Sequence, residues 1–357
     1  MKRICDYRAF RNILLLVPLL SSCLDEPYTP ADTYRNNFES LWSIIDRQYC
    51  FLDEKKINWD SVYTVYNARL DRDTVSELAF FDAMAEMLAV LKDGHVNLLS
   101  PFDRSRYWKW FTDYPSNFNS SLIYSERYLG SGYRLAGALR YQRIAGDSVG
   151  YVYFGSFGDS FSDSNMRYVL KYFEHCDGMI VDVRNNGGGS ADLSERLASY
   201  FFDRDTVNLY MKHKTGPGHS DFSKPVAMPL KAHPSIRWKK PVIVLANRSS
   251  YSATNMFVSR MKDAPGALVI GDLSGGGGGL PSSNELPNGW LVRFSSSPMY
   301  NAAMQSIEYG IEPDLRVMLD AADVAKGEDS LIEEGIRSIK EQAARLRDAS
   351  SVKHTTN

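Results

Sequence analysis

Apolar residues recur at helical spacing early in the chain, and further on that rhythm gives way to short unbroken apolar runs. Phe38, Leu41, Trp42, Ile45 and Tyr49 share one helical face, as do Leu78, Phe81, Met84, Leu88 and Leu91, so residues 34–100 are predicted to form an N-terminal helical domain. The second run stops at Asp93-Gly94-His95, where a glycine closes the helix. Residues 101–147 mix turn residues with aromatic side chains and read as strands and loops. The aromatic cluster from Tyr107 to Phe111 is expected to pack between the helical domain and the core that begins near Ser148, with lining a cleft as its other use.

From Ser148 the pattern is that of an α/β protein. Val149 to Phe154, Gly178 to Val183, Val242 to Leu245 and Leu268 to Ile270 read as strands. Asn165 to Phe173, Leu193 to Phe202 and Met256 to Met261 read as helices between them. Alternation over residues 148–330 predicts an α/β core, a parallel-rich sheet covered by helices. Residues 331–357 read as one charged helix, Ile332 to Leu346, followed by a polar tail expected to be disordered. No internal repeat is present.

The run Val242 to Leu245 leads at once into Asn247-Arg248-Ser249-Ser250-Tyr251-Ser252-Ala253-Thr254-Asn255 and then a helix. A serine hydroxyl therefore sits where backbone N–H groups are unpaired and the helix dipole favours negative charge. Such a serine can attack a carbonyl, and the Ala253 N–H can receive the resulting oxyanion. The plainer reading is that Ser250 or Ser252 only caps the helix.

Composition adds a compartment. Lys2, Arg3, Arg8 and Arg11 precede the apolar stretch Ile13 to Leu20, too short to span a bilayer, so residues 1–22 read as a signal peptide. Leu20-Ser21-Ser22-Cys23 resembles a bacterial lipobox, which implies a lipid anchor at Cys23 and a tether over residues 23–33. Leu24-Asp25-Glu26 looks like the acidic stretch that follows the acylated cysteine of some surface-displayed lipoproteins. The expected location is the cell envelope, as an outer-membrane, periplasmic or surface-exposed lipoprotein. The formal net charge is −2, and without the basic leader the remainder stands at about −5. No basic stripe points to nucleic acid. Cys50 and Cys176 read either as a disulfide or as two separate buried thiols. No CxxC or HExxH pattern points to a metal, and no cofactor is expected.

Two glycine-rich turns invite a phosphate reading and fail it. Gly187-Gly188-Gly189 opens a helix, but the last glycine of GxGxxG falls on Asp192. Gly275 to Gly279 lacks the Lys-Ser/Thr pair of a P-loop. The remaining use of such glycines is to offer free N–H groups to a ligand oxygen. A nucleophilic serine also needs a base. Of six histidines, His95 alone sits in a tight helix-ending turn; His175, His213, His219, His233 and His354 lie in helical, polar-loop or tail contexts. Asp93 and Glu308 are both candidates to orient the imidazole.

Four segments in this order resemble the serine peptidase family of C-terminal processing peptidases and the tricorn core. They are Leu91 to His95, Gly178 to Gly189, Ser250 to Asn255 and Glu308 to Asp314, within a span from about Phe38 to Val317. The resemblance implies a ββα-spiral (crotonase/ClpP-like) core with an N-terminal helical domain. In the processing-peptidase branch the base is a lysine about 25 residues beyond the nucleophile. That position is Gly277 here, so the Ser–Lys mechanism is excluded. The tricorn-like branch uses a histidine and a glutamate, which match His95 and Glu308, with Ser252 as nucleophile. It also implies an oxyanion hole from Ala253 and from Gly188 or its neighbour Gly187.

Three departures stand out. Gly94 replaces a hydroxyl residue just before the histidine, and Asn255 replaces a common glutamate of the nucleophile turn. Only about fifty residues separate His95 from Val149, too few for the PDZ domain of processing peptidases. The expected activity is serine-type endopeptidase hydrolysis of a peptide or protein substrate through an acyl-enzyme on Ser252, with His95 as general base. The alternative is a catalytically inactive member acting as a cell-surface ligand- or peptide-binding lipoprotein.

Overall fold

The structure, a computed structural model, describes residues 30–70 and 76–355. The leader, Cys23 and most of the tether lie outside the described residues. The main sheet has seven strands in the order Leu315–Arg316, Ala267–Gly271, Val242–Ala246, Gly178–Asp182, Val149–Tyr153, Leu139–Ile144 and Arg134–Ala136. The first five run parallel, and the last two add on antiparallel. Val242–Ala246 and Gly178–Asp182 are buried at every position, as strands covered on both faces must be.

Alternate residues of these strands serve the two faces. Met179, Val181, Val242 and Val244 pack with Met166, Val169, Leu197, Phe257 and Met261 from the helices Asp163–Tyr172, Ala191–Ser199 and Ala253–Met261. Ile180, Ile243 and Leu245 face the opposite way, against Leu331, Ile332, Ile336 and Ile339 of the last helix, Ser330–Thr355. Arg184, fully buried, ties that helix to the sheet. Its guanidinium donates to Asp182 at the strand end and to both oxygens of Asp329 at 3.0 Å. Asp329 in turn accepts from the N–H groups of Leu331 and Ile332, which start the helix. The helix runs past Leu346 to Thr355, where a disordered tail was expected, because no glycine or proline interrupts residues 336–355.

A second, antiparallel sheet is absent from the predicted elements. Its long strand Leu291–Asn301 pairs with Asn97–Leu99 and Gly279–Glu285 at one end and with Thr206–Met211 at the other, which pairs with Val226–Leu230. Buried polar residues broke the apolar pattern here: Asn208, Ser295 and Ser297. The N-terminal helices Tyr34–Gln48, Trp59–Leu70 and Glu77–Ala89 close their core on this sheet, with Phe38, Leu41, Phe81 and Leu88 against Trp290, Val292 and Phe294. Cys50 and Cys176 are separate buried free thiols in different clusters.

Candidate active site

The strand Val242–Ala246 ends in a turn that throws Ser252 into a backbone conformation few residues accept, φ 58° and ψ −120°. Hydrogen bonds on both flanks hold it there. Tyr251 N–H donates to Asn186 O at 3.1 Å, and Ser252 N–H to Gly276 O at 2.9 Å. Ser252 makes no side-chain capping bond although it precedes the helix Ala253–Met261. Ser250 is the structural serine: fully buried, it donates to Val183 O at 2.9 Å and accepts from Asn247 N–H at 3.1 Å.

His95 reaches this hydroxyl from the turn after the third helix, its Nε2 lying 2.9 Å from Ser252 Oγ. The turn is fixed by Asp93, which accepts from the His95 N–H at 2.8 Å, from Ser295 Oγ at 2.8 Å and from Tyr49 Oη at 3.1 Å. The imidazole packs against the Tyr251 ring, centroids 4.9 Å apart. Burial pulls its pKa down to about 4, against the opposing pull of Asp93. The ring is then neutral at pH 7, and in the tautomer that carries its proton on Nδ1 the Nε2 lone pair is placed to take a proton from Oγ.

Glu308 lies in the site but makes no hydrogen bond to His95. Its Oε1 accepts from Lys55 Nζ at 2.7 Å and its Oε2 from Gly278 N–H at 2.9 Å, so both oxygens are committed. His95 Nδ1 is buried with no hydrogen-bond partner among the described residues. Direct orientation of the imidazole by Glu308 is therefore corrected. Burial and the neighbouring Asp93 push the Glu308 carboxyl up to about 8, with Lys55 and Gly278 pulling the other way. Burial works against the Lys55 ammonium, but Asp93 and Glu308 outweigh it and hold its pKa above the ordinary value.

Of the two glycines expected to donate to an oxyanion beside Ala253, Gly187 keeps a free N–H and Gly188 does not. Gly188 N–H is spent on Asn186 Oδ1 at 3.0 Å. Asn186 also takes Thr254 Oγ1 at 2.7 Å and gives its amide to Phe154 O at 2.9 Å, which leaves it no freedom to release Gly188. Among the described residues, Ala253 N–H and Gly187 N–H are left without an acceptor. Gly188 has another use: a Cβ there would lie 2.7 Å from Tyr251 O and 2.9 Å from Ser252 Cβ.

Packing accounts for the sequence departures. A Cβ at Gly277 would come within 2.4 Å of the Tyr251 ring, which leaves no room for the lysine of the other branch. One at Gly94 would meet Trp110 Nε1 at 2.6 Å. Asn255 donates to Ile307 O at 2.9 Å and accepts from Ser274 Oγ at 2.6 Å, so it ties the segment before Glu308 to the serine turn. Trp110 stacks on Tyr251 at 4.1 Å and, with Tyr107, lines a cavity of about 810 Å³ beside the Asp93-Gly94 turn. Those aromatics line a cleft where packing was expected. Sequence reasoning missed Lys55 and Asn186. Lys55 lies in the charged run Asp53-Glu54-Lys55-Lys56 and gave no sign of burial. Asn186 lay inside the recognised turn, and its burial beside a glycine run was the available clue. Among the described residues, no group of three or more His, Cys, Asp or Glu is placed to hold a metal ion.

Residues 148–317 match the profile of peptidase family S41, and residues 30–89 that of the tricorn protease C1 domain. The carboxy-terminal processing protease CtpB of Bacillus subtilis is 25% identical over 158 residues, 43% of this chain and 30% of its own length. The match spans about a third of the length of the curated relatives. A crystal structure of a peptidase candidate from Parabacteroides merdae ATCC 43184 is similar with a TM-score of 0.82 and 47% identity, over 86% of this chain and 96% of that one. Mature CPAF complexed with lactacystin shares the fold, with a TM-score of 0.65 at 12% identity over 88% of this chain and 99% of that one.

Proposed function

The chain belongs to peptidase family S41, and on that premise we propose that it is a serine-type endopeptidase that cleaves peptide or protein substrates. Ser252 Oγ attacks the peptide carbonyl while His95 Nε2 takes its proton, then passes that proton to the departing amine. The N–H groups of Ala253 and Gly187 receive the oxyanion, each worth about 3 to 4 kcal/mol. Water, deprotonated by the same imidazole, releases the acyl group and restores the hydroxyl. The 2.9 Å approach of His95 to Ser252 is the observation that carries this reading. A ligand-binding protein has no use for a base held so close to a strained serine. The same reading puts the enzyme at the cell envelope, anchored by lipid at Cys23.

The second reading, an inactive cell-surface lipoprotein that binds ligand or peptide, draws on the unpartnered His95 Nδ1 and on the Glu308–Lys55 pair. Fluorophosphonate labelling separates the two. Wild type should label, and Ser252→Ala and His95→Ala should not. Equal labelling of Ser252→Ala would refute the assignment, and an unlabelled wild type favours the binding protein. Fractionating the same cells tests the anchor, since Cys23→Ala should move the labelled band from the membrane pellet to the supernatant.

A further inference from the structure

The N-terminal helical region sends one cation into the site. Lys55, on the loop after the first helix, has a side chain only 10% exposed. Its ammonium donates to Glu308 Oε1 at 2.7 Å and to Leu91 O at 3.2 Å, lies 4.0 Å from Asp93 Oδ2, and stands over the Tyr49 and Phe51 rings. Glu308 passes the connection on. Its other oxygen holds the N–H of Gly278, its backbone carbonyl takes the N–H of Gly277 at 3.1 Å, and Gly276 O in the same turn accepts the Ser252 N–H at 2.9 Å.

We infer that Lys55 is a positioning residue for the Ser252–His95 pair, tying Glu308 to the glycine turn whose Gly276 carbonyl holds the Ser252 N–H. This rests on the peptidase reading above. The geometry supplies two separable effects. The ammonium pulls Glu308 toward its ionised form in a place where burial opposes charge, and the carboxylate accepts strongly from Gly278. Without Lys55 the carboxyl holds its proton to higher pH, and the turn that holds the Ser252 N–H loses its anchor. The titratable groups around Glu308 are Lys55, Asp93, Tyr49, Cys50, Tyr251 and Tyr309, while Arg293 faces His95. Among them Lys55 alone is a cation in hydrogen-bond contact with Glu308.

The test is a double-mutant cycle on the rate of fluorophosphonate labelling, followed across pH. Lys55→Met and Glu308→Gln should each slow labelling by about tenfold or more at about pH 9, where the wild-type carboxyl is ionised. The double variant should be no slower than the worse single, because both act through one connection. Lys55→Met should also move the acid limb of the pH profile up by about one unit or more. Lys55→Arg keeps the charge and should label within about threefold of wild type. Losses that multiply in the double variant, or an unmoved acid limb in Lys55→Met, would overturn the inference while leaving the peptidase reading intact. If Lys55→Met does not fold, Lys55→Arg decides: near-wild-type labelling supports the role of charge, and a loss of about tenfold removes it. A wild type that does not label removes the reaction and the positioning role together.

Discussion

Ser252 occupies backbone angles that cost about 1 to 3 kcal/mol and persist only where the surroundings fix them. Here the fixing groups are the carbonyls of Asn186 and Gly276, one from each glycine turn. Gly188 supports the same residue from the side, with φ +97° and no room for a Cβ against Tyr251 O and Ser252 Cβ. Gly187 next to it faces open space. Gly188→Ala is therefore expected to cost about 1 to 3 kcal/mol of stability and to slow Ser252 labelling about tenfold or more. Gly187→Ala meets nothing within 4 Å and should leave stability unchanged. Thermal melts and labelling rates of the two variants provide the check. Equal losses in both would show that Gly188 is not the close-packed one. At this scale the sequence was legible where a residue announces its chemistry, as the isolated Asp93-Gly94-His95 turn does. Glu308 was legible as a residue of the site but not in its partner, since the lysine that holds it lies 253 positions away.

Among elements, the parallel strands could be read because burial on both faces leaves an uninterrupted apolar run. Gly178–Asp182 and Val242–Ala246 lie within a residue of their predicted bounds. The antiparallel strands could not, because Leu291–Asn301 buries Ser295, whose hydroxyl serves Asp93 rather than an apolar core. The fixing of the last helix to the sheet was likewise hidden, since Asp329 pairs with Arg184 across 145 positions. Both residues are without side-chain exposure, so breaking the pair leaves the buried guanidinium with Asp182 as its one remaining carboxylate and its Asp329-facing donor unmet. Asp329→Ala also removes the acceptor for the first N–H groups of the helix. It should destabilise the fold by about 3 to 5 kcal/mol, measured by urea unfolding. A loss under about 1 kcal/mol would mean that the helix is held by its apolar face alone.

For the molecule as a whole, the buried titratable groups set how stability follows pH. Glu308 titrates at about 8 when folded rather than 4.5, so the folded chain keeps a proton that the unfolded chain has released. Its contribution is full below 4.5 and is lost as pH rises to 8. His95 runs the other way: titrating at about 4 rather than 6.5, it costs stability below 6.5 and nothing above. The two offset each other between 4.5 and 6.5, and from 6.5 to 8 Glu308 acts without His95. The melting temperature of wild type should therefore decline from pH 6.5 to 8, and Glu308→Gln should flatten that decline. Scanning fluorimetry across the window checks it; an equally steep fall in the variant would rule out Glu308 as its source.

The imidazole and the hydroxyl that meet at 2.9 Å are separated by 157 positions of chain. A ribosome finishes the histidine long before it reaches the serine, and the glutamate with its glycine turn comes later still. No fragment emerging early carries a working pair. The order of the chain thus postpones the meeting of imidazole and hydroxyl until the serine turn has been made and folded.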